Sequence, residues 1–166
     1  MLFSKKMNAA INEQIGREFA ASLEYVSIAS SFASEGLPEL AKHFYRQAEE
    51  ERDHAMRFVK YVVDAGGKMA IPAIPAPKSA FASAEEAVRN SLEWEVTVTK
   101  HINALVDLAI QETDHTTQNF LQWFVTEQLE EVSSMETLLS VVRRAGEGGL
   151  LTVEAMLART APAENS

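Results

Sequence analysis

Glu18 is followed 33 residues later by Glu51, with His54 three residues beyond it. Glu95 is followed 33 residues later by Gln128, with Glu131 three beyond. Residues three apart share a helix face. On helices, each half of the chain would therefore offer one carboxylate from its first helix and a polar pair from its second. If those faces turn inward, Glu18, Glu51, His54, Glu95, Gln128 and Glu131 converge on one point. Burying several carboxylates without counter-charge costs several kcal/mol per ion, so such a cluster protonates or is held by cations. Oxygen donors with one imidazole suit iron or manganese, with zinc as a further fit. The competing reading is a set of ordinary surface glutamates on an acidic protein. A single Glu-x-x-His arises easily by chance; the doubled spacing carries the metal reading.

The positioning elements are legible as helices. From about Lys5 to Ala33 there is no proline, and Ile15, Phe19, Leu23 and Val26 recur at steps of three and four, the period of an amphipathic helix. Gly36-Leu37-Pro38 stops it, and Pro38 suits the first turn of a second helix that runs to about Asp64 and ends at Gly66-Gly67. The segment from Met69 to Ser79 holds Pro72, Pro75 and Pro77, which forbids a helix and predicts an extended connection. Ser83 and Glu86 form a capping box for a third helix reaching about Gln111. The polar stretch from Glu112 to Thr117 leads into a fourth helix ending near Gly146, and a short amphipathic piece follows from Leu151 to Arg159. Two helical hairpins joined by one long linker predict an all-α four-helix bundle with a single long crossover and a short C-terminal fifth helix. The expected domain covers residues 1–160, with residues 161–166 as a disordered tail.

Composition narrows the function. The chain has 166 residues, a formal charge of −9 and no cysteine. Disulfides, thiolate zinc sites and Cys-ligated clusters are thereby excluded. The acidic balance argues against nucleic acid as a partner, since phosphate neutralisation needs a basic face. No run of about eighteen apolar residues predicts a membrane span, and the N-terminus lacks the apolar stretch of a signal peptide. The cytoplasm is the expected location.

The segments Ile15-Gly-Arg-Glu-Phe, Tyr25, Ala48 to Ala55 (AEEERDHA) and Asn119 to Glu131 (NFLQWFVTEQLEE) resemble the non-haem bacterial ferritins, and the resemblance spans roughly Lys5 to Arg159. It implies a ferritin-like bundle with ferroxidase activity, oxidising Fe(II) with dioxygen or hydrogen peroxide. Glu18, Glu51 and His54 would bind one iron; Glu51, Glu95 and Glu131 would bind the other, with Glu51 bridging and Gln128 beside the pair. A third iron position would use Glu50, Glu127 and Glu130 together with Glu131. The family forms a hollow shell of 24 subunits that stores ferric mineral. Tyr25, about two helical turns beyond Glu18, faces the same way and could donate an electron or a hydrogen bond; the alternative is a core tyrosine with a satisfied hydroxyl. Trp123 is assigned to packing, and His43, His101 and His115 to the surface or an interface.

Two relatives compete as readings. Haem-containing bacterioferritins carry Glu-x-x-His in the fourth helix and a methionine after the bridging glutamate, whereas here position 131 is Glu and position 52 is Arg. Haem is not expected, although Met56 and Met135 keep thioethers available. A rubrerythrin-like di-iron peroxidase normally has a Cys-rich iron domain, which a cysteine-free chain lacks.

Overall fold

A computed structural model describes residues 1–161 and contains α1 (Lys5–Ser34), α2 (Pro38–Asp64), α3 (Ala84–Gln111), α4 (His115–Ala145) and α5 (Leu150–Thr160), with a 3-10 turn at Glu147–Gly149. Of the expected tail, residues 162–166 lie outside the described residues. The all-α bundle with one long crossover and a short fifth helix is the observed architecture. None of the described helices is long and apolar enough to cross a membrane.

Local chemistry sets each boundary. The Ser4 side chain accepts a bond from the Met7 N–H at 2.9 Å and caps α1. Its other end closes with Leu37 N–H donating to Phe32 O at 3.0 Å while Gly36 takes a positive φ of 77°, the six-to-one pattern that favours glycine. At α3, Ser83 accepts from the Glu86 N–H at 3.0 Å. Glu86 does not complete the expected capping box: its carboxylate takes the Ala82 N–H and the Lys78 ammonium instead. The fourth helix starts earlier than expected, at His115, because Asp114 caps it by accepting from the Thr117 N–H at 3.0 Å.

The crossover lies along α1. Asn8 and Asn12 donate to Lys68 O at 3.0 and 2.8 Å, and the Lys78 N–H reaches Glu24 at 3.2 Å. From Asn8 to Glu24 the helix rises about 24 Å at 1.5 Å per residue. Residues 68–78 cover that distance in an extended form, which the three prolines favour. At Gly16 the two segments pack directly on one another, and a Cβ there would overlap Pro72. The linker therefore starts α3 at the end of the bundle where α1 finishes. The same end is closed by α5, whose buried Glu154 accepts from the Glu39 and Leu40 N–H groups at 2.6 and 3.3 Å and so caps α2.

The apolar interior is divided. One cluster, including Tyr25, Phe32, Phe44, Val88 and Leu139, fills the α5 end. The other, including Ile11, Phe58, Ile102 and Phe124, fills the opposite end. Between them runs a buried polar layer of Gln14, Glu18, Gln47, Glu51, His54, Glu95, Gln128 and Glu131. The expected α1 stripe needs correction. Ile15 is buried, but Leu23 and Val26 are 44% and 41% exposed. The face turned inward is Met7, Ile11, Glu18, Ala21, Tyr25, Ile28 and Phe32, so a polar residue occupies the middle of the stripe that periodicity assigned to apolar ones.

Candidate metal centre

Four helices deliver the polar layer. Glu18 comes from α1, Glu51 and His54 from α2, Glu95 from α3, and Gln128 and Glu131 from α4; all six are buried. They form two triads whose ligand atoms lie within 4.8 Å of one another: Glu18, Glu51 and His54, and Glu51, Glu95 and Glu131. Glu51 belongs to both, which places it between two candidate metal positions. His54 Nδ1 stands 3.5 Å from Glu51 Oε2 and 3.9 Å from Glu18 Oε2.

The donors are orphaned. Glu18 Oε2, both Glu51 oxygens and His54 Nδ1 are buried without a hydrogen-bond partner. Buried polar atoms are almost always paired, and leaving these unmade in an apolar bundle costs stability. Four such atoms, on the three residues of one triad, fit bound cations. Their titration agrees. Burial, then the Glu51 charge, pushes Glu18 well above the usual carboxylate range. Burial and the Glu95 and Glu131 charges raise Glu51 in the same way. Glu131 is pushed up to about 8 by burial, Glu95 and Glu50. A cation binding here would therefore displace protons.

The two halves differ in how their outer carboxylate is held. Glu95 has both oxygens engaged: Oε1 by the Tyr25 hydroxyl and Oε2 by Gln128 Nε2 at 3.2 Å. Gln128 also donates to Thr99 Oγ1 at 3.1 Å. Tyr25 is fully buried and its phenol is pushed above its ordinary range by burial and the Glu95 charge. It thus reaches across to α3, rather than serving Glu18 on its own helix. Glu95 itself is raised by burial, which the bonds from Tyr25 and Gln128 oppose.

A third triad adjoins the pair. His54, Glu127 and Glu131 bring ligand atoms within 4.8 Å of one another, with His54 Nε2 3.7 Å from Glu127 Oε1. Glu50 stands half-buried nearby, raised by burial, with the Glu127 charge adding to it. Glu130 is exposed and joins none of these groups. Helical geometry explains the difference. At 100° per residue, Glu127 lies about 40° from Glu131, whereas Glu130 lies about 60° to the other side of Glu127.

A ferritin-like domain signature matches residues 8–145. The chain belongs to the ferritin family. It is 44% identical over 154 residues to Ferritin BfrB of Mycolicibacterium smegmatis, covering 93% of this chain and 84% of that protein. It is 35% identical over 146 residues to the bacterial non-heme ferritin of Staphylococcus aureus, covering 88% of each. Among solved structures, the open pore ferritin from Archaeoglobus fulgidus superposes with a TM-score of 0.91 at 39% identity, covering 94% of this chain and 96% of that one.

Within this ferritin bundle, sequence reasoning passed over Gln14, Gln47 and Thr99. Gln14 is fully buried and donates to Glu18 Oε1 at 2.7 Å. A signal for it existed: Gln14 and Gln47 each precede a ligand glutamate by four residues, and they are themselves 33 apart. Trp123 packs edge-on against His54 at 5.4 Å, with the Arg57 guanidinium 3.8 Å over its ring. Of the remaining histidines, His115 is exposed at the start of α4 and His101 is half-buried. His43 packs edge-on against Phe44 at 5.2 Å, and burial, then Arg46, lowers it to about 4.

Proposed function

We propose that this chain stores iron by oxidising Fe(II) at the paired triads and depositing Fe(III) inside a hollow shell of its own copies. The single observation that carries this reading is Glu51, buried between two triads with neither oxygen partnered. One Fe(II) is taken as substrate by Glu18, Glu51 and His54, the other by Glu51, Glu95 and Glu131. Each iron gives up one electron. Together they reduce dioxygen to hydrogen peroxide with two protons, or hydrogen peroxide to two waters with two protons. Electrons delivered as a pair avoid releasing a one-electron product. Gln128 contributes a neutral amide where another carboxylate would add charge, which favours departure of the ferric product. Glu127, with His54 and Glu131, offers a place for a third iron, and Glu50 and the exposed Glu130 extend an acidic path away from the pair.

Shell formation rests on the family and on α5, which closes one end of the bundle. Closed symmetric assembly of roughly 24 chains gives about 440 kDa from 18.3 kDa per chain. The deciding experiment combines light scattering with anaerobic Fe(II) titration and then oxygen addition. Two irons per chain should bind and oxidise in a rapid first phase within a particle of that mass. A monomer or dimer at neutral pH, or slow oxidation without a rapid phase, would overturn the proposal.

A further inference from the structure

We infer that Gln14 is a positioning residue that limits Glu18 to one metal-binding oxygen; this rests on the metal-centre reading above. Gln14 is fully buried on α1, one turn before Glu18, so the two side chains share a face. Its Nε2 donates to Glu18 Oε1 at 2.7 Å, while its Oε1 accepts from Arg17 Nη1 at 3.4 Å. The order matters. A flipped amide would set its carbonyl oxygen against a carboxylate and its NH2 against a guanidinium N–H. Arg17 therefore fixes which end of the amide Glu18 meets.

The consequence is an asymmetric carboxylate. Glu18 Oε1 is tied to a donor, and once a cation displaces the Glu18 proton that bond is made to an ionised group, the stronger kind. Glu18 Oε2 has no partner and faces His54 Nδ1. A cation held by Glu51 and His54 thus meets one oxygen of Glu18, and bidentate binding would require breaking the Gln14 bond. The other carboxylates of the layer are held differently. Glu95 has both oxygens engaged, by Tyr25 and Gln128, and Glu51 has neither engaged. Of these three, Glu18 has one oxygen held and the other free. Because glutamine is neutral, it orients the ligand without adding charge to a crowded anionic layer.

The test uses Co(II) as a probe of the assembled, metal-free protein, because its visible absorption weakens as coordination number rises. In Gln14→Met the chain keeps its length and apolar bulk but loses the donor. We expect the first Co(II) to bind about 10–100-fold more weakly, the scale seen when groups supporting metal ligands are removed. Its absorption should weaken as Glu18 closes onto the ion with both oxygens. Arg17→Met, at a half-buried position, should shift the spectrum in the same direction by less, and serves if Gln14→Met fails to fold. A merely structural role would lower the melting temperature without changing the Co(II) spectrum. Glu18→Ala separates the two levels of inference. If it leaves Co(II) binding unchanged, the metal-centre reading fails, and Gln14 with it. If it removes the first Co(II) while Gln14→Met and Arg17→Met match the parent in affinity and spectrum, the Gln14 inference alone is overturned.

Discussion

Replacing Glu131 by glutamine should stabilise the metal-free protein at neutral pH while weakening its hold on iron. Burial and the Glu95 and Glu50 charges push this carboxyl from 4.5 to about 8. Between those values the folded chain keeps a proton that the unfolded chain has lost, so stability falls as pH rises through that window. It is fully present below 4.5 and is lost as pH passes about 8. At 1.36 kcal/mol per unit, the loss is below about 1 kcal/mol at pH 5 and reaches about 3 kcal/mol at pH 7. Glu51 and Glu95 titrate with it, which spreads the loss and brings the effect of one substitution nearer about 2 kcal/mol. Glutamine cannot ionise, so the variant escapes that slope. For a chain of this length the gain corresponds to about 4–8 °C in melting temperature. Thermal melts of chelator-stripped protein at pH 5 and pH 7, at one chain concentration, measure it. Parent and variant should be close at pH 5 and separate at pH 7. An equal or lower melting temperature for the variant at pH 7 would refute the electrostatic reasoning. Bound iron should reverse the ranking, because the cation needs the anionic oxygen that the substitution removes.

Glu51→Ala should abolish rapid Fe(II) oxidation, since this residue belongs to both triads. Its circular dichroism should remain helical, because removing one crowded carboxylate relieves repulsion; parental oxidation rates would contradict the bridging role. Glu127→Ala and Glu130→Ala should differ in stopped-flow oxidation at two, three and many irons per chain. Both should keep the rapid phase at two irons, but Glu127→Ala should change the third iron and later turnovers more, because Glu127 alone of the two joins a triad with His54 and Glu131. Equal effects would mean that the helical phase of these residues does not set their roles.

Much of this protein is local in origin and therefore legible in the chain. Pro38, Gly36, Gly66 and Ser83 act through the conformations and bonds of a few neighbouring residues, and the helix boundaries follow them to within a residue or two. Asp114 is equally local, and α4 starts before its polar neighbours end because this side chain caps the helix. The ligand set is legible for a related reason. An i, i+3 pair repeated at one spacing in two hairpins is a property of helical period, which needs no knowledge of what lies opposite.

Direction and partnership are different in kind. Leu23 and Val26 follow the apolar period of α1 yet lie outward, because the positions of α2, α3 and the crossover decide which face is covered. Tyr25 shares a face with Glu18, yet its hydroxyl is satisfied by Glu95, 70 residues away. Glu127 and Glu130 are equivalent as letters in an acidic run; only the packing of α4 beside His54 separates them. Nothing in the sequence names a partner for Gln14; burial leaves its amide with Glu18 and Arg17. The sequence determines which side chains each helix carries and at what angle. Which of them lose water, and which charges then face one another, is decided when four helices close around a layer that none of them can solvate alone.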